Sequence, residues 1–188
     1  LGYQVVDDAG KSVADRFEAP PTLRPAGDGR SVYGISLPLA PGRYQLRLGV
    51  IDRDGKRGSV SHAFDVPRWP STGVRVSDLM FGEASADAFR PIARMVPNAG
   101  HLTLRFEAHA DSPDAFRAVT ARLLVAKTGE SAARDAFLLP LSETSDPRRR
   151  VTTAEIDITG YGVGDYVVTA IVEGPGGEIA RRSRAFRK

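Results

Sequence analysis

Hydrophobic and polar residues alternate with a period of two along several stretches of this chain. Two clear rows of alternate apolar positions are Tyr44, Leu46, Leu48 and Val50, and Leu102, Leu104, Phe106 and Ala108. A third inward row is predicted at Val119, Leu123 and Val125. This alternation is typical of strands that bury one face. Glycine-containing turns separate the strands at intervals of about ten residues, so the pattern predicts an all-β fold of antiparallel, immunoglobulin-like β-sandwiches.

The chain also contains two copies of one sequence pattern. Residues 42–64 match residues 164–186 without a gap, and the matched positions include Gly42 with Gly164, Tyr44 with Tyr166, Gly55 with Gly177 and Phe64 with Phe186. Upstream, residues 35–37 match residues 156–158, and residues 5–10 match residues 124–129. A shared order of strands and glycine turns predicts two tandem modules of one fold.

The two copies differ in length at their N-terminal ends. Residues 74–81, 84–96 and 101–108 precede the matching part of the second copy and have no counterpart in the first. The predicted organisation is a first module over 1–67 that lacks its first strands, a Pro- and Trp-containing linker over 68–73, and a complete second module over 74–188. Helical spacing predicts a short helix near 84–96, limited to about two turns by its prolines.

An incomplete first module has consequences for partners. A sandwich of roughly 67 residues without disulfides or metal is marginal as an independent core. We therefore expect an upstream segment or a protein partner to complete it, in a homo- or hetero-oligomer or by strand addition. The chain opens directly on a strand-like stretch, Leu1–Val6, without an initiator Met, which favours the C-terminal part of a larger polypeptide or a processed product.

Composition and charge narrow the classes of function. The 188 residues include no cysteine, which excludes a disulfide scaffold, a cysteine metal site and a thiol nucleophile. The net charge is +3, but residues 181–188 carry five basic groups and no acidic group, so 21 basic groups face 23 acidic ones elsewhere. The basic character is local, and a nucleic-acid partner is not expected. The apolar runs are too short for a transmembrane segment.

Two features are candidate interaction sites. Trp69, the sole tryptophan, lies in the predicted linker and either packs between modules or anchors a partner. The basic residues form the other candidate, and they are Arg148, Arg149, Arg150, Arg181, Arg182, Arg184, Arg187 and Lys188. By the repeat register Arg182 and Arg184 occupy the positions of Val60 and His62. Either a bulge shifts the register there, or this strand is a charged edge that discourages further pairing.

The chemically reactive residues predict no catalytic, cofactor or metal site. Asp52 and Asp54 resemble the start of a calcium loop, but basic residues follow them, which favours a hairpin turn. His101 and His109 are too far apart on one strand to share a metal, and His62 falls in an apolar row. We therefore expect a protein that is not an enzyme. An alternative is a carbohydrate- or cell-surface-binding module that uses Trp69, Tyr3 or Tyr161 as ring platforms.

One stretch resembles a known group of proteins. From Leu39 the chain reads Leu-Ala-Pro-Gly-Arg-Tyr-Gln-Leu-Arg-Leu-Gly-Val-Ile-Asp, and Val66-Pro and Val76-Ser-Asp-Leu79 follow. It is similar to the tandem β-sandwich region downstream of von Willebrand factor A-type domains in exported bacterial proteins, and to regions of proteins with GWxTD-type domains. The resemblance implies a structural or assembly module at a periplasmic or extracellular location. The Asp-x-Ser-x-Ser metal motif of A-type domains is absent, so no adhesive metal site is implied.

Overall fold

A computed structural model describes residues 1–19, 21, 24–25, 31–69, 72–84, 89–91, 100–130 and 132–188. Within these residues the chain is all-β, its sheets are antiparallel, and the only helical element is one short 3-10 turn. The predicted all-β class with antiparallel sheets is therefore confirmed. The chain divides into two compact units, Leu1–Trp69 and Pro70–Lys188.

The first unit is built on one four-stranded antiparallel sheet. Its strands lie in the order β2-β1-β5-β6. A separate two-stranded ladder joins β3 to β4. The bounds of the strands are β1 Gly2–Asp7, β2 Ser12–Phe17, β3 Arg24–Pro25, β4 Ser31–Val32, β5 Gly42–Ile51 and β6 Arg57–Val66.

The second unit contains two antiparallel sheets. One has the order β13-β14-β10-β8-β9, with β7 also paired to β10, and the other has the order β12-β11-β15-β16. A 3-10 turn spans Pro113–Phe116. The strands are β7 Arg75–Val76, β8 Met80–Ala84, β9 Phe89–Pro91, β10 His101–His109, β11 Thr120–Lys127, β12 Asp135–Leu139, β13 Ser142–Glu143, β14 Arg149–Asp157, β15 Asp165–Gly174 and β16 Gly177–Arg187.

Both sheets of the second unit contribute to a single buried core. Leu104 and Phe106 of β10 and Leu123 and Val125 of β11 are 0% exposed and belong to the same cluster. Alternate side chains of each strand point to one face of its sheet, so this shared cluster is the interior of a β-sandwich. The inward row predicted for β10 is confirmed by the burial of its alternate residues.

The repeat in the sequence is visible in the topology of the two units. The sheet β2-β1-β5-β6 has the same strand order as β12-β11-β15-β16, when β1 is matched with β11 and β5 with β15. The pairing of Tyr44 with Phe64 in one hairpin matches that of Tyr166 with Phe186 in the other. Both pairs of rings are stacked, with centroids 5.7 and 5.3 Å apart.

Each of these tyrosines also closes a loop in the same way. The Tyr44 hydroxyl donates a hydrogen bond to the Ala40 carbonyl oxygen at 2.7 Å, and the Tyr166 hydroxyl donates to the Gly162 carbonyl oxygen at 2.8 Å. In both cases the acceptor is four residues upstream of the tyrosine. This is the geometry of the tyrosine corner that occurs in immunoglobulin-like sandwiches.

The sequence match between the first strands is wrong by one residue. Val5 was matched with Leu124, yet Val5 pairs with Leu46 while Val125, not Leu124, pairs with Val168. Leu46 and Val168 are equivalent positions of the matched hairpins, so Val125 is the counterpart of Val5. The positive-φ turn glycine that follows is five residues after Val5, at Gly10, but four residues after Val125, at Gly129. The different turn lengths explain the shift.

The short helix predicted near 84–96 is not seen at the positions that the structure describes. Ala84 ends β8, and Phe89–Pro91 forms β9, which pairs with β8. Residues 85–88 and 92–96 lie outside the described residues. Apolar spacing suggested a helical face here, but the hydrogen bonds to β8 and the proline at position 91 favour an edge strand.

Candidate interaction surfaces

The sheet of the first unit carries apolar side chains on one face. Cross-strand pairing places Val5, Leu46 and His62 in one row across β1, β5 and β6, and Leu48 and Val60 in the next. We call the apolar residues of β5 and β6 on this side the open face: Leu46, Leu48, Val50, Val60 and Phe64. Val50 is 40% exposed and Val60 is 55% exposed.

Four of the five matching positions of the second unit are buried, and the fifth, the counterpart of Val60, is Arg182. Val168, Ala170 and Val172, the counterparts of Leu46, Leu48 and Val50, are 0–1% exposed. Phe186, the counterpart of Phe64, is 6% exposed. Among the described residues of the first unit, Val5 and Val6 are the only buried hydrophobic residues. The same sheet is therefore buried in the second unit, whereas the face is half-buried or exposed in the first.

Residues of the segment 33–39 line two grooves together with residues of the open face. Their exposure alternates, with Tyr33, Ile35, Leu37 and Leu39 half-buried and the residues between them exposed. Nevertheless, no strand of the described residues pairs with this segment. By the sequence repeat its counterpart is β14, in which Ile156 pairs with Leu102 of β10.

Two apolar grooves flank this segment on the open face. The larger has a volume of about 710 Å³ and is lined partly by Tyr33, Ile35 and Leu48. The smaller has a volume of about 330 Å³ and is lined partly by Val5, Ile35 and Phe64. Ile35 and Leu46 line both grooves. Burial, and then a hydrogen bond to Glu18, raises the pKa of the Tyr33 phenol.

The basic residues predicted as an interaction site are distributed over both sheets of the second unit. Arg148 precedes β14, in which Arg149 and Arg150 lie, whereas the four basic residues Arg181, Arg182, Arg184 and Arg187 belong to β16. Lys188 follows β16, and its backbone exchanges two hydrogen bonds with Gly164.

Arg149 and Arg150 are engaged within their own sheet. Arg149 forms a two-pronged ion pair with Glu107, with nitrogen–oxygen distances of 2.6 and 2.9 Å. Burial opposes ionisation of Glu107, but the hydrogen bond and the charge of Arg149 outweigh it, so the pKa of Glu107 is lowered. Arg150 contacts Glu143 at 3.0 Å and its guanidinium lies 4.9 Å from the centre of the Phe116 ring.

Arg182 and Arg184 point towards the opposite sheet of the second unit. They pair with Ala170 and Val168, so the repeat register continues through them. The register shift of this hairpin lies further along, between Val172 and Glu173. Arg182 donates to the Val76 carbonyl oxygen at 3.1 Å and Arg184 to the Leu79 carbonyl oxygen at 2.8 Å. These arginines are inward-pointing charges on an edge strand.

Three further candidate cations have carboxylate neighbours. Arg148 lies 3.7 Å from Asp146, Arg181 lies 2.7 Å from Glu178, and Arg187 lies 3.9 Å from Asp165. The hydrogen bond from Arg181 lowers the pKa of the Glu178 carboxyl. The charges of the Arg-rich end are thus largely compensated inside the chain, which weakens the case for an acidic partner at this strand.

The candidate aromatic platforms have different surroundings. Trp69, at the end of the first unit, is 37% exposed. Tyr3 lies within the first sheet, directly opposite Leu48. Tyr161 packs its ring 5.1 Å from the ring of Tyr166 in the second unit. Tyr3 and Tyr161 therefore belong to separate units.

The residues with catalytic or metal-binding chemistry have structural partners. The Asp52 carboxylate accepts hydrogen bonds from the backbone N–H groups of Asp54 and Lys56, as in a hairpin turn. His101 and His109 lie at opposite ends of β10 and contact Glu155 and Glu107 at 3.4 Å. His62 is exposed on β6. The described residues contain no group of three or more His, Cys, Asp or Glu side chains that could hold a metal ion.

In comparisons of the sequence with known proteins, no family model and no curated protein matches this chain. Among the described residues, no helix has both the length and the apolar character needed to cross a membrane. The sequence did not predict which residues form the open face. The signal for it was present in the unequal lengths of the two copies.

Proposed function

We propose that this chain is a non-catalytic structural module that acts through protein–protein contacts, made of two tandem immunoglobulin-like sandwiches. The observation that carries the proposal is the open face of the first unit. In an antiparallel sheet of this kind the apolar face normally packs on a core. The equivalent sheet of the second unit is covered in this way by a second sheet. Neighbouring exposed apolar side chains on one sheet face, such as Val50 and Val60, are typical of an interaction site.

The strand order and the two tyrosine loops support the immunoglobulin-like assignment. In sandwiches of this class a tyrosine near the start of a strand bonds back to the backbone a few residues upstream, as Tyr44 and Tyr166 do. The second unit is a complete sandwich of this type. The first unit supplies one sheet and, in residues 33–39, one element of the other.

The proposal predicts that another polypeptide contacts the open face in the cells that make the protein. A photo-crosslinking amino acid at Val60, on this face, is expected to give crosslinks to another polypeptide segment in cells that make the protein. The same amino acid at the neighbouring Ser61, which points to the opposite face of β6, is the matched control. Mass spectrometry identifies the crosslinked segment. Equal or absent crosslinking at the two positions would refute the proposal.

We also infer that the module belongs to a larger exported bacterial protein. The resemblance to regions downstream of von Willebrand factor A-type domains supports this location. Fractionation of producing cells, followed by immunoblotting, is expected to place the protein in the periplasm or outside the cell. Recovery in the cytoplasmic fraction alone would contradict it.

A further inference from the structure

The second unit shows what covers the sheet that is open in the first unit. There β10 pairs with β14, so that Leu102 lies opposite Ile156 and Leu104 lies opposite Ala154. The inward side chains Leu102, Leu104 and Phe106 are 0–2% exposed and share a core with Val168 and Val172 of β15. A strand with apolar residues at alternate positions therefore fills the space over the sheet.

In the described residues of the first unit the same pattern occurs without that strand. Ile35 is the counterpart of Ile156, and the alternation of exposure along residues 33–39 is that of β14. Residues 33–39 belong to no strand, and no described strand pairs with them, so an added strand could pair with their backbone N–H and C=O groups as it would with a sheet edge. The two grooves that share Ile35 and Leu46 lie beside this edge.

A second copy of this chain is a poor donor of the missing strand. Among the described strands, β5, β10, β11 and β15 have the required alternation. β5 is already paired on both sides, with β1 and with β6. The other three strands have their inward residues buried in the core of the second unit. To donate one of them, a copy would expose that core. A polypeptide of different sequence has no such penalty.

We propose that a second polypeptide donates a β-strand that pairs antiparallel with residues 33–39 and places alternate apolar side chains in the two grooves. This inference rests on the proposed function and specifies its partner as an extended segment with apolar residues at every second position. By the register of β10 with β14, an apolar donor residue lies opposite Ile35 and another lies opposite Tyr33. Backbone pairing supplies affinity and the alternate side chains supply specificity.

The test uses a synthetic peptide with the sequence of residues 100–110, which includes β10, as a probe for the donated strand. Titration of the 188-residue chain by NMR is expected to give saturable binding. Amide protection on binding is expected within residues 33–39 at alternate positions, since one new neighbour pairs with every second residue of the edge. A control peptide with Leu102, Leu104 and Phe106 replaced by serine is expected not to bind.

Substitutions in the 188-residue chain test whether the peptide binds at residues 33–39. Ile35→Asp is expected to weaken peptide binding about tenfold or more, because it places a charge at the shared wall of both grooves. Ser36→Asp, on the exposed side of the segment, is the matched control and is expected to leave binding unchanged. Val50→Asp, at a 40% exposed position that lines the larger groove, is likewise expected to weaken peptide binding.

Several outcomes would overturn the inference. They are absence of binding by the probe peptide, binding without protection of residues 33–39, and self-association of the chain that displaces the peptide, measured by sedimentation. Crosslinks from position 60 that fall only within the same polypeptide would also overturn it. Crosslinking to a partner at position 60 without strand-type protection would refute the donated strand while leaving the proposed function in place.

Discussion

At the scale of single residues, Tyr44 and Tyr166 occupy equivalent positions in different surroundings. Both hydroxyls donate to a carbonyl oxygen four residues upstream. Tyr166 is 1% exposed, whereas Tyr44 is only half-buried, beside the open face. A hydrogen bond contributes more when its loss leaves a buried group without a partner, so the two tyrosines should differ in their contribution to stability.

Replacing Tyr166 with Phe is expected to lower the free energy of unfolding of the second unit by about 1–2 kcal/mol, because the Gly162 carbonyl oxygen loses its donor in a part-buried site. Tyr44→Phe is the matched variant and is expected to cost less than about 1 kcal/mol, since water reaches the Ala40 carbonyl. Urea unfolding followed by circular dichroism measures both. Equal costs would contradict the different burial of the two loops.

The ion pair between Glu107 and Arg149 gives a pH dependence whose sign follows from the lowered pKa of Glu107. The folded state releases this proton more readily than the unfolded chain, for which the usual pKa is near 4.5. Ionised Glu107 therefore stabilises the fold above pH 4.5, and this contribution is lost as the pH falls through the lowered pKa.

Glu107→Gln is expected to destabilise the second unit by about 1 kcal/mol at neutral pH, and the difference from the unsubstituted chain should shrink at pH values below about 4. Urea unfolding at a series of pH values measures this. Glu155→Gln, at a carboxylate that is 63% exposed, is the control and is expected to have little effect at any pH. A Glu107 effect that grows in acid would reverse the sign and refute the assignment.

At the scale of elements, the edge strand β16 is tied to the opposite sheet by arginine side chains. Arg184 donates to the carbonyl oxygen of Leu79 and its guanidinium lies 4.9 Å from the centre of the Phe81 ring. Arg182 reaches the Val76 carbonyl oxygen. These contacts join the end of the β12-β11-β15-β16 sheet to β7 and to the residue that precedes β8. Charges that point inward on an edge also discourage pairing with another chain.

Arg184→Lys is expected to lower the free energy of unfolding by about 1–2 kcal/mol, because lysine keeps the charge but lacks the planar group that both stacks and donates. Arg187→Lys, on the same strand but with a side chain that is 75% exposed, is the matched control and is expected to be near neutral. Chemical denaturation compares them. A near-neutral Arg184→Lys would show that the charge alone, and not the planar guanidinium, matters at this edge.

At the scale of the whole molecule, the two units differ in how much apolar surface they bury. The core cluster of the second unit draws residues from both of its sheets. In the described part of the first unit only Val5 and Val6 are buried. Stability increases with buried apolar area, so the isolated first unit is the weaker of the two.

Thermal unfolding of the 188-residue chain is expected to show two transitions, the lower of which belongs to the first unit. Trp69, the only tryptophan in the sequence, lies in the first unit, so its fluorescence is expected to follow the lower transition. Calorimetry is expected to record both transitions. Val168→Ala, in the buried core of the second unit, should lower only the upper transition. A single transition in which both probes coincide would contradict the prediction.

Local pattern in the sequence was sufficient for the strands, the hairpins and the repeat. Alternation along β10 predicted its buried row, and the matched glycines Gly55 and Gly177 both adopt the positive φ that their turns require. These features depend on a few neighbouring residues, so they can be predicted from a single sequence. The match of Val5 with Leu124 failed by one position because turn length, which sequence similarity alone did not resolve, sets the cross-strand register.

Contacts between distant parts of the chain were decided only by the tertiary structure. The sequence placed Arg182 and Arg184 in a basic end, but their acceptors, the Val76 and Leu79 carbonyls, lie more than 100 residues away. Likewise, alternation in β5 predicts a face to be covered and does not say whether anything covers it. The sequence by itself determined the strands and their repetition, because these are local. The tertiary structure decided which apolar faces are buried, because burial depends on whether a second layer is present to exclude water.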